Sequence, residues 1–341
     1  MGNQEFFHRY LDALAEVHGS LSQKVTEEAV VRSAANLFGA RGANLMLFDP
    51  SEKKTLIISA SFGLSDAYRV KGVISPNKSL GETIQRSLVV VHNINEDPNV
   101  QYRNAAIQEG IKSIVGVPLT AGYVLVGAMR LYFAQVKKPS AEEMVYINAF
   151  ALQAGLALKK SFYFASMNAS ATEIHSVPSL NFKEALQTLV KTAAQYGHAL
   201  GCALLLADRD NTTLASVTSW GLSDTYLKKG PVSVGLSLGE INTGQLVIIS
   251  SVANDPRIQY KEEANVENVR AIVGLPVRVG EKMAGALRLY YSFEFEPDQD
   301  DIMWMEFISH QASMALEKNQ LLSQLKDKKE WYKNVLSDFD R

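Results

Sequence analysis

The sequence predicts an α+β protein of two similar domains, each with a mainly antiparallel sheet flanked by helices, joined and extended by long helices. Three observations lead to this fold class. Segment 62–133 returns as segment 220–291 without a gap, at a constant spacing of 158 positions. Each copy contains pairs of short apolar runs joined by polar turns, which are typical of strand hairpins. Helical patterns precede and follow these runs, an order typical of helices packed on an antiparallel sheet.

The repeat is carried by distinct motifs. The clearest matches are Phe-Gly-Leu-Ser-Asp at 62–66 with Trp-Gly-Leu-Ser-Asp at 220–224, Ile-Val-Gly at 114–116 with the same triplet at 272–274, and Gly-Ala-Met-Arg-Leu-Tyr at 127–132 with Gly-Ala-Leu-Arg-Leu-Tyr at 285–290. A unit of this length is much longer than a solenoid repeat and has the size of a domain. We therefore expect one domain that is duplicated within the chain.

The first half of each copy is expected to contain a hairpin, a helix and a strand. In the first copy the hairpin comprises Asn44–Asp49 and Thr55–Phe62, which are short apolar runs around a polar turn. A helix is predicted over Ser79–Ser87, with its first residue as N-cap and Glu82 three residues later, the spacing of a capping box. β-branched residues then predict a strand over Val89–Ile94.

The second half of each copy is expected to contain a short helix, a second hairpin and a long helix. Val100–Gly110 predicts the short helix, because its glycine is a typical stop signal. Ser113–Leu119 and Tyr123–Phe133 are apolar runs around a glycine and predict the hairpin. Ser140 is expected to cap the long helix. Its apolar positions fall on one face and are Met144, Ile147, Ala151, Ala154 and Leu158.

The resulting organisation places helices before, between and after the two domains. The predicted segments are an N-terminal helix (1–20), the first domain (21–160), a helical linker (161–180), the second domain (181–318) and a C-terminal helix (319–341). Asp298 is expected to begin a helix that runs nearly to Arg341. A seven-residue pattern on this helix through Ile308, Ala315 and Leu322, alternating with Trp304 and Gln311, predicts a coiled coil. A single helix docked on its own domain is the alternative, and the sequence leaves both open.

Composition excludes several classes of protein. The chain has 34 Lys+Arg and 36 Asp+Glu among 341 residues, so it lacks the basic excess that a nucleic-acid surface needs. Its N-terminus has no signal-peptide pattern, and its most apolar stretch, 114–133, contains Arg130, which a membrane span disfavours. The lone cysteine, Cys202, cannot form an internal disulfide. We therefore expect a cytoplasmic protein that binds neither nucleic acid nor membrane.

Together these motifs resemble a GAF domain, and the chain resembles a tandem-GAF signalling protein. The resemblance rests on the Gly-Leu-Ser turn, the Ile-Val-Gly-Val-Pro strand, the Val-Gly-Ala-Met-Arg-Leu-Tyr strand and the Ala-Glu-Glu helix start, and it covers about 21–160 and 180–318. It implies two GAF-like domains, each with dimer-forming helices on one face of the sheet and a small-molecule pocket on the other. It also implies that terminal helices pass a ligand-driven change to an output domain.

The sequence departs from the better-characterised subtypes of this family. Cyclic-nucleotide-binding members often carry an Asn-Lys…Phe…Asp-Glu signature, and both copies lack its Asn-Lys, so a cyclic nucleotide is a weaker alternative ligand. Bilin carriers often need a pocket cysteine, and the first copy has none. Members that reduce methionine sulfoxide need redox cysteines, and Cys202 alone cannot form a thiol pair. The sequence therefore does not identify a cofactor. Cys202 is expected to be a small buried residue.

No catalytic or metal-binding set of residues is visible in the sequence. Phosphate-binding loops, Cys-x-x-Cys pairs and His-Glu-x-x-His motifs are absent. The six histidines lack metal-ligand spacing, and Ser250 replaces His92 in the second copy. We expect a non-catalytic protein, with His92 on the surface or at a strand edge.

Polar residues that recur inside the strands are the first candidates for a ligand site. Arg130 and Arg288 share a strand face with Tyr132 and Tyr290, because side chains alternate along a strand. A buried arginine must be paired or must meet an anionic ligand, such as a carboxylate or phosphate. The alternative is an internal ion pair, whose candidate acids are Glu82 and Asp97 in the first copy and Glu240 and Asp255 in the second.

A second group of candidates lies on the segment expected to roof the pocket. Tyr102 and Tyr260 precede Arg103 and Lys261, and an aromatic face beside a cation suits a small planar or anionic ligand. The same tyrosines are equally suited to packing the roof onto the sheet.

An Asp-Pro pair precedes this segment in each copy. Asp97 and Asp255 are either ordinary helix caps or ligand contacts. The roof residues diverge between the copies, with Arg-Asn-Ala at 103–105 and Lys-Glu-Glu at 261–263. Divergent lining on a common scaffold suggests that one copy senses a ligand while the other mainly dimerises.

The sequence thus predicts a non-catalytic tandem-GAF sensory module that binds an unidentified small molecule and relays its occupancy through terminal helices. The expected partners are a second copy of the chain, bound through those helices, and a downstream signalling domain or protein. A structural dimerisation module with collapsed pockets is the alternative. A cavity of roughly 300 Å3 or more favours ligand binding.

Overall fold

The computed structural model describes residues 3–48, 56–70, 72, 87–98, 100–122, 124–176, 182–208, 210, 212–235 and 238–339. The chain divides into two compact units, Met1–Ala165 and Ser166–Arg341. Each unit contains one antiparallel sheet with helices packed against it. The predicted fold class is therefore confirmed.

The first sheet has its described strands in the order β2-β1-β5-β4-β3. They are β1 (Gly42–Phe48), β2 (Leu56–Phe62), β3 (Val89–Val91), β4 (Ser113–Ala121) and β5 (Val124–Phe133). Every neighbouring pair is antiparallel, which confirms both predicted hairpins. Strand β5 carries Arg130 and lies between two other strands, so the repeated arginine is held in the middle of the sheet.

The second sheet repeats this order as β8-β7-β6-β11-β10-β9. Its strands are β6 (Gly201–Ala207), β7 (Thr213–Trp220), β8 (Val232–Ser233), β9 (Val247–Ile249), β10 (Ala271–Val279) and β11 (Lys282–Tyr291). Strand β11 carries Arg288 in the same central position. The short strand β8 pairs with only Thr213 and Leu214 at the start of β7.

Helices of very different length surround the two sheets. The described helices are α1 (Asn3–His18), α2 (Gln23–Phe38), α3 (Asp66–Arg69), α4 (Arg103–Gln108), α5 (Ala141–Ser176), α6 (Phe182–Tyr196), α7 (Asp224–Leu227), α8 (Glu240–Thr243), α9 (Lys261–Val266) and α10 (Gln299–Phe339). No helix in these ranges is both long enough and apolar enough to cross a membrane.

Reciprocal hydrogen bonds begin the two long helices. The Ser140 hydroxyl accepts the Glu143 N–H at 3.1 Å, and the Ser140 N–H donates to the Glu143 carboxylate at 2.9 Å. Asp298 and Asp301 exchange the corresponding bonds at 2.9 Å each. These capping boxes satisfy N–H groups that have no partner within the helix. They confirm the helix starts predicted at Ser140 and Asp298.

Several predicted elements differ in length from the observed ones. The strand predicted over Val89–Ile94 ends at Val91. The helix predicted over Val100–Gly110 comprises only Arg103–Gln108. Both elements are shorter because the chain turns at Asn93 before it reaches Tyr102. Helix α5 continues to Ser176, through most of the predicted linker. The predicted helix over 79–87 lies outside the described residues.

The first part of α10 is docked on its own domain. Trp304, Ile308, Gln311 and Ala315, which the sequence places on a coiled-coil seam, are all buried. They are buried because α10 packs its apolar face on β10 and on α6. The docked-helix alternative is therefore correct for this part of α10, and the coiled coil predicted there is wrong. Side chains from position 325 onward lie outside the described residues.

Candidate ligand site

A buried ion pair occupies the interior of the second domain. The Nη2 and Nε atoms of Arg288 lie 2.5 Å and 2.6 Å from the same Glu240 oxygen, Oε1. The two side chains are 7% and 0% exposed. Glu240 begins α8 and lies against Gly274 of β10, which brings its carboxylate over the sheet. The internal-pair alternative is thus confirmed for Arg288, with Glu240 as its partner.

One oxygen of this carboxylate remains unused. Because both guanidinium contacts go to Oε1, the Oε2 atom of Glu240 has no hydrogen-bond partner among the described residues. In the first domain Arg130 is similarly buried. Glu82 and Asp97 are its predicted partners. Glu82 lies outside the described residues, so pairing of Arg130 with either acid stays a prediction.

Two tyrosines pack edge to face beside each arginine. In the first domain the rings of Tyr68 and Tyr132 are 5.5 Å apart at 85°, and in the second domain the rings of Tyr226 and Tyr290 are 5.7 Å apart at 85°. Burial raises the pKa of Tyr290 to about 12, and it raises the pKa values of Tyr68 and Tyr226 further. These phenols therefore stay protonated at neutral pH and act as neutral polar groups.

Lys229 lies against this aromatic cluster. Its Nζ is 3.6 Å from the centre of the Tyr226 ring and 6.0 Å from the centre of the Tyr260 ring, and it donates to the Tyr226 carbonyl at 3.0 Å. The surroundings of Lys229 lower its pKa to about 8. Burial makes the largest contribution and the nearby Arg288 charge acts in the same direction, while Glu263 and Glu267 act in the opposite direction. Within the described ranges no carboxylate oxygen lies within 4 Å of Nζ.

A cleft of about 450 Å3 opens next to Lys229. One wall is the edge of β7 and the other is the segment 227–232 that leads into β8. The side chains that matter to its chemistry are Ala203, Leu205, Leu214, Val232, Lys229 and Tyr290. The cleft thus combines an apolar floor with one cation and one buried phenol.

The wall that carries Lys229 is anchored by a serine–glutamate contact. In the second domain the N–H and hydroxyl of Ser223 donate to the two carboxylate oxygens of Glu267 at 2.7 Å and 2.5 Å, and the hydroxyl also caps α7. In the first domain Ser65 makes the same contacts with Glu109. This anchor explains why the Gly-Leu-Ser turn recurs.

Tyr260 packs against this wall, and Tyr102 packs against Gly72 at the matching place in the first domain. The Tyr260 hydroxyl donates to the Pro231 carbonyl at 2.9 Å. Gly230 and Gly72 both have a φ of +129°, and a Cβ on either would lie 2.6 Å from the neighbouring tyrosine hydroxyl. Only glycine combines that φ with so close a contact. The roof-packing alternative therefore accounts for the two tyrosines, and Tyr260 also faces Lys229.

The other roof candidates are engaged elsewhere. Asp255 pairs with Arg257 at 2.6 Å instead of with Arg288. The Arg103 guanidinium donates to the Asp97 carbonyl at 2.5 Å, and Lys261 donates to the Ala253 carbonyl at 3.3 Å. These side chains therefore make contacts within the roof segment of their own domain. Neither aspartate caps the short helix, because α4 and α9 begin only after Tyr102 and Tyr260.

The two domains differ beneath the aromatic pair. In the first domain Asn44 donates to the Tyr132 hydroxyl at 3.3 Å and accepts from Ser61 at 2.7 Å. The matching position in the second domain is Cys202, which is fully buried and whose thiol pKa is raised by that burial. The expectation of a small buried cysteine is confirmed.

The most informative residues of this site were missing from the sequence-based candidates. Tyr226, Lys229 and Glu267 recur in the sequence at the spacing of 158, as Tyr68, Lys71 and Glu109. Lys71 lies outside the described residues. This recurrence of polar and aromatic residues is the signal that marks the positions. It does not show that they face inward, because Tyr226, Lys229 and Glu267 lie in a short helix and in turns, where strand alternation does not apply.

A second cleft, of about 610 Å3, lies on the helix-covered side of the second sheet, between β10 and α10. Arg278, Ser309, His310 and Ser313 are among its lining residues. His92, the histidine singled out in the first copy, is exposed and its Nδ1 lies 3.2 Å from the Lys137 carbonyl. No group of acidic, histidine or cysteine side chains suited to a metal is found in the described part of the chain.

Comparisons with known proteins identify the repeated unit. A family model described as GAF domain matches residues 20–159 and 179–317. The comparison with curated proteins found no match. Solved structures similar to this chain include the GAF domains of phosphoenolpyruvate-protein phosphotransferases from Acinetobacter and Coxiella burnetii. Both are 15% identical, cover 48% of this chain and 97% and 95% of their own, and have TM-scores of 0.41 and 0.42.

GAF domains are sensory and signalling modules, generally regulatory, that often bind ligands. The two family matches cover most of the chain, and their limits agree with the two sheets and the long helix that ends each copy. The chain therefore belongs to the GAF domain family and carries two GAF domains in tandem.

Proposed function

We propose that the protein is a non-catalytic, cytoplasmic sensory module whose second GAF domain binds a small molecule in the cleft beside Lys229. The observation that carries this proposal is the cleft itself. Its volume of about 450 Å3 lies within the range of roughly 300–1,000 Å3 that is typical of ligand pockets. Its floor is apolar, and Lys229 and Tyr290 provide few but well-placed polar groups, as ligand pockets commonly do.

The ligand favoured by this lining is small, partly planar and electron-rich. An anionic or carbonyl oxygen would meet Lys229, and a planar body would lie against Tyr290 and the aliphatic floor. Arg288 is already paired with Glu240, so the charge that faces the ligand is that of Lys229. This differs from the sequence-based expectation, in which Arg288 itself receives an anion.

Native mass spectrometry and thermal shift of the full chain test this proposal. We expect a retained small-molecule mass in freshly purified protein, or a metabolite that raises Tm. A ligand at 100 times its dissociation constant adds about 2.7 kcal/mol, or roughly 5–10 °C for a domain of this size. Cyclic nucleotides belong in the metabolite panel as the weaker alternative.

A variant that fills the cleft provides the control for this experiment. Ser216 is exposed, lines the cleft and pairs with Leu205 on the cleft face of the sheet, so Ser216→Trp is expected to abolish the bound mass or Tm shift and to leave the Tm of the unliganded protein unchanged. Absence of any ligand response, or a response that Ser216→Trp does not alter, would contradict the proposed site.

A structural module with collapsed pockets is the second candidate function. It is favoured by the self-contained Arg288–Glu240 pair and by the apolar cluster around Tyr226, Ile249 and Ile272, which fills the space between the sheet and its roof. On this view the residual cleft binds nothing. The same thermal-shift experiment separates the two functions.

We further propose that the first domain dimerises through α1 and α5. The inner face of α5 is buried, as predicted. Its outer face exposes Val145, Leu152 and Leu156 by 66%, 44% and 42%, at the i, i+7, i+11 spacing of a coiled-coil seam. Phe7 and Leu11 extend the exposed apolar surface on α1. A relay to a downstream signalling domain or protein would run along α5 and α10.

Light scattering coupled to size-exclusion chromatography tests the dimer. The wild-type chain is expected to elute at twice its mass of 37.5 kDa, and Leu152→Glu with Leu156→Glu at the monomer mass, because charges on the seam would repel. Val266→Glu, at an exposed apolar position of the second domain, is the matched control and should leave the dimer intact. A monomeric wild type, or a dimer that survives the double substitution, would reject this interface.

A further inference from the structure

Lys229 is placed differently from an ordinary surface lysine. Its Nζ is covered by the Tyr226 ring at 3.6 Å, and among the described residues its one hydrogen bond goes to the Tyr226 carbonyl at 3.0 Å. The neighbouring residue Lys228 is 79% exposed and lies 3.7 Å from the Asp224 carboxylate. The chain thus holds two adjacent lysines, one paired in solvent and one turned toward the cleft.

We propose that Lys229 forms a reversible imine with a small aldehyde or ketone that enters the cleft. This inference rests on the proposed ligand cleft and names the chemical class of its ligand. A lysine becomes a nucleophile when it is desolvated or lies beside another cation, and Lys229 meets both conditions through Tyr226 and Arg288. A carbonyl compound with a planar body would place that body against Tyr290 and the apolar floor.

The chemistry needs nothing that the cleft and the ligand do not supply. The lone pair of the neutral Nζ attacks the carbonyl carbon, and the two protons of Nζ pass to the carbonyl oxygen. Loss of this oxygen as water leaves a carbon–nitrogen double bond. One amine and one carbonyl thus give one imine and one water, without an oxidant or reductant. A neutral Nζ keeps an N–H for the Tyr226 carbonyl while its lone pair is free.

The groups around Lys229 favour the neutral amine. Burial lowers the pKa of Lys229 to about 8, and Arg288 on β11 acts in the same direction. Glu263 and Glu267 on and after α9 oppose it, and the Tyr226, Tyr260 and Tyr290 side chains are the remaining titratable neighbours. At pH 8 about half of Lys229 would be neutral, compared with less than about 1% of a lysine with the ordinary pKa.

Reductive trapping on the full chain tests this inference. The protein is incubated with benzaldehyde at pH 8, reduced with cyanoborohydride, and analysed by intact mass and peptide mapping. We expect a single adduct on Lys229, formed roughly tenfold or more faster than the adduct on Lys228. The labelling rate of Lys229 should reach half its maximum near pH 8. Lys228 should still be accelerating above pH 9.

Matched variants complete the test. Lys229→Ala and Lys229→Arg should both lose the adduct, the arginine variant because it keeps the charge and cannot form the imine, while Lys228→Ala should retain it. Labelling spread over the lysines in proportion to their exposure would overturn the inference. If a metabolite still binds the cleft and Ser216→Trp abolishes that binding, the proposed function stands and only the imine is lost. If both labelling and cleft binding fail, both are rejected.

Discussion

Glu240→Leu is expected to lower the free energy of unfolding of the second domain by about 3–5 kcal/mol, because it removes the carboxylate that neutralises the buried Arg288 charge. The pair is almost wholly inaccessible to water, and the Nε and Nη2 atoms of Arg288 both contact one oxygen of this carboxylate. For a domain of this size the loss corresponds to a decrease in Tm of roughly 10 °C. Differential scanning calorimetry of the full chain measures it.

The double variant Glu240→Leu with Arg288→Met is the control. Replacing a buried ion pair by apolar residues of similar size is often neutral, so we expect the double variant to recover most of the stability. A loss below about 1 kcal/mol for Glu240→Leu, or a double variant as unstable as the single one, would contradict this account of the pair. Full recovery would also show that Arg288 serves the fold.

Gly155→Ala is expected to destabilise the first domain by about 2–3 kcal/mol, although the same change stabilises most helices by about 1 kcal/mol. Gly155 lies in the middle of α5, where the helix crosses β4. A Cβ at this position would lie 2.2 Å from the Thr120 carbonyl oxygen and 2.8 Å from its carbon. Backbone atoms cannot move aside as a flexible side chain can, so the helix must shift away from the sheet.

The second domain supplies the matched control at the equivalent position of α10. Ser313 occupies it, and its hydroxyl accepts the Arg278 N–H at 3.0 Å next to the larger cleft. The sheet there already accommodates a side chain, so Ser313→Ala should cost less than about 1 kcal/mol. Chemical denaturation of each variant compares the two. A stabilising Gly155→Ala would show that α5 is not in close contact with β4.

The difference between Gly155 and Ser313 bears on function because α5 and α10 are the helices proposed to carry a signal. A helix held against its sheet at a glycine has little freedom to shift. A helix that meets its sheet through a serine hydroxyl, beside a cleft of about 610 Å3, has more. The long helix is therefore held against the sheet differently in the two copies, which is consistent with the proposal that the two domains have different functions.

Much of the fold could be predicted from the sequence. Both hairpins, the caps at Ser140 and Asp298, and the shared strand face of Arg130 and Tyr132 depend on periodicity and local hydrogen bonding, which a sequence states directly. Element ends were less predictable, since the ends of β3 and α4 depend on where the chain turns at Asn93. The coiled-coil pattern on α10 was misleading because a seam that packs on its own sheet has the same apolar spacing as one that packs on a partner.

The candidate site was predictable only in part. Alternation identified Arg288 as inward-facing, and it supplied Glu240 as one possible partner. It could not choose between Glu240 and Asp255, because that choice depends on whether α8 or the loop before α9 lies over β10. Lys229 was not among the predicted site residues, because two adjacent lysines in a loop are expected to be exposed to solvent.

The sequence by itself determined that the chain is one domain written twice, with antiparallel sheets, central arginine-bearing strands and long capped helices. These properties follow from the 158-residue spacing and from local patterns that any fold of this chain must respect. Only the tertiary structure decided which acid neutralises Arg288, that the roof tyrosines pack against glycines, and that Lys229 faces a cleft with no carboxylate oxygen of the described residues within 4 Å of its Nζ. Those outcomes depend on which segments far apart in the chain come into contact. They matter most for buried charges, because a charge shielded from water depends on its protein neighbours.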